Sequence, residues 1–542
     1  MRPTRRLLAL AGCALLVAVA AGACNGDAPR PSSPTPSASP TAAASPTEYA
    51  PTLEPLPPVT LTDRVTLYGA DPGDAAMALT TGDFNGDTVL DVALAAAPAD
   101  GPENLRADAG EAYIFLGPFS PGEARDAARG DQDVTIFGAG AGDQTGRAVA
   151  AGDLNGDGLD DLILGAPFAD GPSDGRTDAG EIRMVFGRPS WPATIDLANE
   201  PGPVIFGADA EDLAGYSLAT GNLNGDGVDD LLAGAFWADG PDSSRPNAGE
   251  AYVMFGSQAW PQTIDLATGG QDVIVYGAEA DDRLTEGMAA GDVSGDGTDD
   301  LVLAATFGGG PENRAPKAGE VHVILGGQLA ASYDLSRRPG DIVVLGSDEG
   351  DQIGHSIALG DVDGDGVGDL VLGAVSADGP ANARDLAGEA YVVFGTASTP
   401  ATIDTRERQE ALRIHGANSV DRLGRSVATA DVNGDGKSDL LLAATGHDGK
   451  DGSLKDSGAV YVLLGRQGLS GAMDLTTQRT DAVIEGVHAD DVMGQNGFGK
   501  PPLLGADVDG DGLDDVLVTA LGDGPANDRA DAGEAYIIFS RR

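Results

Sequence analysis

Short apolar runs, fenced by Gly, Pro and Asp, punctuate the chain, and the spacing of three to four residues that marks an amphipathic helix is missing from them. Val134–Phe137 and Val204–Phe206 are β-branched or aromatic; residues 162–164 and 231–232 are continuously apolar; residues 252–255 and 391–394 follow an Ala-Gly-Glu triplet. Between the first two kinds of run lies a polar nonapeptide, acidic-x-polar-Gly-Asp-x-x-x-Asp. It starts at Asp83, Asp153, Asn222, Asp292, Asp361, Asp431 and Asp507, at intervals of 70, 69, 70, 69, 70 and 76 residues. Each period therefore predicts four strands: A leading into the acidic loop, B leaving it, C after Ala-Gly-Glu, and D before the next repeat. Four short strands in a repeat of this length make a propeller blade. The expected fold is all-β, a seven-bladed β-propeller with four-stranded antiparallel blades, over residues 60–542. Residues 65–69 (Val-Thr-Leu-Tyr-Gly) match the D strands at 134–138 and 273–277. This N-terminal strand is expected to complete the seventh blade and close the ring, leaving no open sheet edge.

Gly165-Ala166-Pro167 follows the loop that begins at Asp153, and Phe137-Gly138 precedes it. These residues resemble the FG-GAP repeat of integrin α-subunit headpieces, of the propeller half of glycosylphosphatidylinositol-specific phospholipase D, and of many bacterial surface proteins. The resemblance extends over all seven repeats. Gly-Ala-Pro itself stands only in the second; Gly234-Ala235-Phe236 and Ala443-Ala444-Thr445 replace it elsewhere.

The loops carry the candidate chemistry. Calcium takes six to eight oxygen ligands at about 2.3–2.6 Å, and oxygens at alternate loop positions can wrap one ion, with position 7 adding a carbonyl and position 9 a closing carboxylate. The glycines at position 4, and usually at position 6, where loop one has Thr88 instead, permit the sharp turn. The predicted ligands are Asp83, Asn85, Asp87, Val89 and Asp91 in the first loop, and Asp153, Asn155, Asp157, Leu159 and Asp161 in the second. The third offers Asn222, Asn224, Asp226, Val228 and Asp230; the fourth Asp292, Ser294, Asp296, Thr298 and Asp300. The fifth offers Asp361, Asp363, Asp365, Val367 and Asp369; the sixth Asp431, Asn433, Asp435, Lys437 and Asp439; the seventh Asp507, Asp509, Asp511, Leu513 and Asp515. With four carboxylates each, loops five and seven are expected to bind Ca2+ most tightly, and loop three, with two, most weakly. Magnesium, which wants a tight octahedron at about 2.0–2.1 Å, fits such loops less well.

Composition narrows the partners. Lys and Arg number 33 against 85 Asp and Glu, a formal charge of −52, which repels nucleic-acid phosphates and anionic membrane surfaces. The first residues are basic (Arg2, Arg5, Arg6), and the small, apolar run 7–23 has the layout of an export signal. The run ends at Cys24, and the segment resembles a bacterial lipoprotein signal in which Cys24 is acylated. Cys13, preceded by Leu10-Ala11-Gly12, fits the local pattern better but leaves too short an apolar core; an ordinary secretory signal is the other reading. Arg5-Arg6 also resembles a twin-arginine signal. Residues 24–59, rich in Pro, Ser, Thr and Ala, read as a disordered tether. The chain is thus expected to be exported and held at the outer side of the bacterial membrane by an N-terminal lipid, as a monomer.

The five histidines, His322, His355, His415, His447 and His488, fall at non-equivalent places, and none has the spacing of a metal site or a triad. No catalysis is expected. The alternatives are an extracellular hydrolase or lyase acting on polysaccharide or phospholipid, and a purely structural envelope protein. Arg129-Gly130-Asp131 reads as a chance tripeptide in a chain rich in Gly and Asp. An extracellular protein or glycan is the expected partner, on the face away from the acidic loops. Six residues before each loop the repeats diverge, to Met77, Arg147, Tyr216, Glu286, His355, Arg425 and Pro501; Arg147, Tyr216, Glu286, His355 and Arg425 are the candidate partner-binding set.

Overall fold

The computed structural model describes residues 63–541 except 77, 200–201, 397–398 and 496–501. The signal, Cys13, Cys24 and the tether lie outside the described residues, as do Met77 and Pro501. The described residues fall in one compact unit. Seven sheets make it up, and the strand order within each follows the predicted A-B-C-D. In the first, A (Ala78–Gly82), B (Asp91–Ala96), C (Glu111–Phe115) and D (Val134–Phe137) pair antiparallel in sequence. The A strands of neighbouring blades lie side by side around the axis, the seventh beside the first. Arg64–Tyr68 pairs antiparallel with the C strand of the seventh blade (Glu534–Ile538), Val65 opposite Ile537 and Leu67 opposite Ala535.

The blades differ from expectation in one respect: six of the seven have five strands. The connection between C and D of each repeat lays a short strand in parallel along the D strand of the blade before it. Thr194–Asp196 of repeat two thus runs along Val134–Phe137 of blade one, with Ile195 beside Ile136. The same is done by Thr263–Asp265, Ser332–Asp334, Thr402–Asp404, Gly471–Asp474 and, on blade seven, Ala124–Asp126. Blade six has four strands among the described residues.

The core lies between blades. Successive B and C strands present Val, Leu, Ile and Ala on both faces, so each sheet packs against two neighbours and its central strands are buried throughout. Position 2 of every acidic loop joins this core. Phe84, Leu154, Leu223, Val293, Val362, Val432 and Val508 are all buried, each plugging its loop into the sheets below and contributing about 1.5–3 kcal/mol of burial.

Candidate metal loops and channel mouth

Six of the seven loops are organised around their first carboxylate; in loop three the side-chain oxygen of Asn222 is buried with no hydrogen-bond partner among the described residues. In loop one the Asp83 carboxylate accepts the N–H of Gly86 at 2.7 Å, of Asp87 at 3.1 Å and of Thr88 at 2.9 Å. Asp87 accepts the N–H of Val89 at 2.9 Å, and residues at position 5 do the same for Leu159, Val228, Thr298, Val367, Lys437 and Leu513. These bonds turn the chain tightly around its first residue.

Position 9 is the first residue of each B strand, and its aspartate is inaccessible to solvent in every blade. One oxygen of Asp91 accepts the N–H of Phe84, at 3.1 Å, and the other that of Gly117 beyond strand C, at 2.9 Å. Asp161, Asp230, Asp300, Asp369, Asp439 and Asp515 repeat the arrangement. Burial pushes Asp91, Asp161, Asp369, Asp439 and Asp515 up to about 7, against the lowering effect of the amides. The position-9 residue thus latches each loop to strand C.

Three carboxylates converge in two of the loops. In loop five, oxygens of Asp361, Asp363 and Asp369 all lie within 4.8 Å of one another; in loop seven, those of Asp507, Asp509 and Asp511 do. Oxygens on a sphere of about 2.3–2.6 Å radius are at most roughly 5 Å apart, so one calcium ion fits either set. Where Asn occupies position 3, its amide nitrogen meets the loop's own acids: Asn155 lies 3.2 Å from Asp161, Asn433 3.2 Å from Asp439, and Asn224 3.2 Å from Asp226. Two loops also hold a cationic side chain. Lys437 stands 3.4 Å from Asp435, and the Arg541 guanidinium lies 2.8 Å from Asp509 and 2.9 Å from Asp511.

The loops are also joined to each other, by position 8, which sequence reasoning left unassigned. The Asp160 carboxylate accepts the N–H of Asp83 at 2.7 Å, while the Asp160 N–H donates to the Asp83 carbonyl at 3.1 Å. Asp229 with Asp153, Asp299 with Asn222, and Asp514 with Asp431 make the same reciprocal pair. Position 7 adds an apolar contact: a Cβ on Gly86, whose φ is +79°, would sit 2.4 Å from Leu159 of the next loop. Glycine is required there for the turn and for the neighbour. Recurrence of Asp at position 8 was the available signal.

At the opposite ends of the A strands, the five divergent residues come together around the channel. Tyr216 is buried and stacked on Phe236, with ring centroids 4.8 Å apart. Glu286 faces His355, Oε1 to Nδ1 3.3 Å, and accepts a hydrogen bond from the Thr306 hydroxyl. Burial acts to raise Glu286, but the His355 hydrogen bond and charge hold it below the usual carboxylate value. Burial lowers Arg147 and Arg425, and both carry interactions with Tyr216. The set is thus half-buried and turned on itself rather than displayed. Phe236, Thr306, and Arg283, which stacks on Phe236 and Phe307, belong to the same cluster. The varied residue that follows each B strand was the sequence signal for Phe236 and Thr306.

Other candidates resolve locally. His322 lies 3.4 Å from Glu320 and His415 2.7 Å from Glu389, each a buried histidine beside a carboxylate. Asp131 of the Arg-Gly-Asp tripeptide accepts the N–H of Asp126 at 3.0 Å, and Gly130 ends a short turn at φ 78°.

With this geometry in view, comparison with known proteins is informative. The family model described as FG-GAP repeat matches residues 145–183, 214–254, 285–324 and 423–463, the loops of blades two, three, four and six. Phosphatidylinositol-glycan-specific phospholipase D of Rattus norvegicus is 26% identical over 398 residues, 69% of this chain and 43% of that protein. Integrin alpha-IIb of Mus musculus is 30% identical over 227 residues, 40% of this chain and 20% of the integrin. Integrin alpha pat-2 of Caenorhabditis elegans is 27% identical over 246 residues, 43% and 18% respectively. The chain spans less than half the length of each of these relatives. It is a seven-bladed propeller in which four blades carry FG-GAP repeats, and it is similar over part of its length to integrin α-subunits.

Proposed function

We propose that this chain is a calcium-stabilised binding or adhesion module, exported and held at the cell surface by a lipid on Cys24. The observation that carries the calcium reading is the convergence of Asp361, Asp363 and Asp369 within 4.8 Å, in a loop whose backbone amides already hold Asp361 in place. Hard carboxylate oxygens at that spacing suit Ca2+. When bound, the ion neutralises the like charges of a loop and ties strands A and B together. Position 9 takes part while latched to strand C, so ion binding tightens three strands at once. No chemical step is assigned to the loops. Calorimetric titration of chelator-treated protein tests this reading: calcium binding at several sites, with loop five the tightest, is expected, and no heat would overturn it.

Similarity to integrin α-subunits supports a surface-exposed binding role. The partner, a protein or glycan, meets the face opposite the loops, at the channel mouth around Arg147, Tyr216, Glu286, His355 and Arg425. Capture of cell-surface material by the full chain, lost in Arg147→Ala/Arg425→Ala with the melting temperature unchanged, is the expected result. The anchor is tested by detergent partition, which Cys24→Ala should abolish and Cys13→Ala should not. The match to phospholipase D favours one second reading, a hydrolase of phospholipid. Turnover of phospholipid by the purified chain would establish it.

A further inference from the structure

The seven blades close into a ring, but the seven acidic loops do not. Reciprocal pairs at position 8 join loop one to two, two to three, three to four, and six to seven. At the other junctions position 8 is not an acid. Gly368 in loop five and Ser438 in loop six keep only the main-chain half of the pair among the described residues, donating to the carbonyls of Asp292 at 2.9 Å and Asp361 at 2.8 Å. Position 8 of loop one is Leu90, and no bond joins it to Asp507 of loop seven among the described residues. The side-chain contact from position 7 follows the same course. A Cβ on the position-4 glycine would sit 2.4 Å from the next loop at Gly86, 3.3 Å at Gly156 and Gly225, and 2.9 Å at Gly295 and Gly364, but on Gly510 of loop seven it would meet nothing within 4 Å.

Position 8 stands between positions 7 and 9, which offer a carbonyl and a carboxylate to the ion of its own loop, while its bonds hold position 1 of the loop before. Loop three shows what this arrangement supplies. In the other six loops the position-1 carboxylate accepts the N–H of position 5. The side-chain oxygen of Asn222 makes no such bond among the described residues. Its main chain is held instead by Asp299 of loop four, whose carboxylate accepts the Asn222 N–H at 2.8 Å and whose N–H donates to the Asn222 carbonyl at 3.2 Å. The first residue of loop three is thus placed from the loop beside it.

We infer that calcium binding is coupled between neighbouring loops through the position-8 aspartates Asp160, Asp229, Asp299 and Asp514, so that loops one to four fill together, loops six and seven fill together, and loop five fills independently. The inference rests on the calcium reading proposed above. An ion in one loop fixes the residues on both sides of its position 8. That aspartate then holds position 1 of the preceding loop where the next ion needs it, so the second ion meets a ligand whose ordering is already complete and binds more tightly. The coupling is reciprocal, each loop gaining in affinity what it gives. Repulsion between ions in neighbouring loops acts in the opposite sense, and salt screens that repulsion while leaving the bonds in place. The four aspartates are positioning residues, which place ligands without being ligands themselves.

Hydrogen exchange of the full chain across a calcium titration, at about 0.15 M salt, reads each loop separately through its amides at positions 5 to 7. Loops one to four are expected to gain protection over one steep range of calcium, and loop five over a shallower range of its own. Asp296→Asn, which removes a ligand from loop four, should weaken binding in loop three by about fivefold or more and leave loop seven unmoved. Asp299→Ala should weaken loop three likewise, and Asp299→Asn, whose amide oxygen still accepts the Asn222 N–H, should restore it. Ser438→Asp should complete the pair with Asp361 and make loop five respond to Asp435→Asn in loop six, a gain that damage to the fold cannot mimic. Absence of calcium protection in every loop would overturn the calcium reading itself. Loops that bind calcium at midpoints indifferent to Asp296→Asn and Asp299→Ala would overturn the coupling alone.

Discussion

Both faces of the propeller are ringed with acid, but the two rings solve the problem of charge differently. On the loop face, carboxylates of positions 1, 3 and 5 are partly or fully exposed and crowd one another, as Asp365 and Asp361 crowd Asp363. On the opposite face, acids are buried one or two per blade: Asp74, Asp212, Asp282 and Asp351 before the A strands, and Glu111, Glu250 and Glu389 at the start of the C strands. The tyrosine two residues on donates to each of these glutamates, at 2.7 Å from Tyr113 and 2.6 Å from Tyr391. Burial first, then neighbouring acids, pushes Asp74, Asp212 and Asp282 up to about 7 and Asp351 to about 8. An isolated buried acid relieves its charge by taking a proton. A convergent exposed cluster is better relieved by a cation.

The largest effect should come from removing that cation. A ligand bound only by the folded state stabilises it by about 2.7 kcal/mol per site at a hundred times its Kd. With several loops filled, chelation is expected to lower the melting temperature by well over 10 °C, and calcium, more than magnesium, to restore it. Calorimetric scans with and without chelator measure this; equal melting temperatures would remove the distinction between the faces.

The second test separates the rings by pH. Asp74, Asp212, Asp282 and Asp351 have folded values above the unfolded value of about 3.9, so the folded state binds the extra protons. Their contribution is fully present below about pH 4 and is lost as pH rises through 7 to 8. In chelator, the melting temperature should therefore fall by roughly 2–4 °C or more between pH 5.5 and 8.5. In calcium the fall should shrink or reverse, because protons compete with the ion in the loops.

How much of this could be read from the sequence depends on how far each feature's cause lies from the residue that shows it. The period, the four main strands and the loop positions were legible because each is local: an apolar run, a turn, an acid at fixed spacing. The outer strand was missed because Thr194–Asp196 is only three residues long, and its partner, Val134–Phe137, lies about 60 residues earlier. Asp160 was missed for the same reason: its role is a bond to Asp83 of the preceding loop. The divergent residues at the start of the A strands were recognised as a set, but their burial was not, since it depends on Phe236 and Thr306 arriving from other strands.

Single substitutions sharpen the contrast. Asp363→Asn should cost about 1–3 kcal/mol in calcium and little in chelator, where relief of repulsion from Asp365 offsets the lost contacts. Asp351→Asn, on the other face, should be neutral or stabilising at pH 8 in both conditions, because it removes a charge that burial and Glu389 oppose. Matched unfolding curves of the two variants decide it: the same calcium dependence in both would show that the rings do not differ.

The smallest effect distinguishes two loops of the same face. By carboxylate count, loops five and seven are equals, yet only loop seven holds a guanidinium, Arg541 being 2.8 Å from Asp509 and 2.9 Å from Asp511. The arginine is already a counter-ion, so calcium must displace it before it can bind. Burial acts to lower Arg541, but Asp509 and Asp511 hold it above its ordinary value, which marks the pair as mutually stabilising. An ion pair this accessible is worth about 0.2–1 kcal/mol. Arg541→Gln should therefore tighten calcium at loop seven by up to roughly fivefold, while lowering stability in chelator by the same free energy. Titration of the variant beside Asp363→Asn isolates the seventh loop, and unchanged affinity there would mean that the arginine and the ion do not share the site.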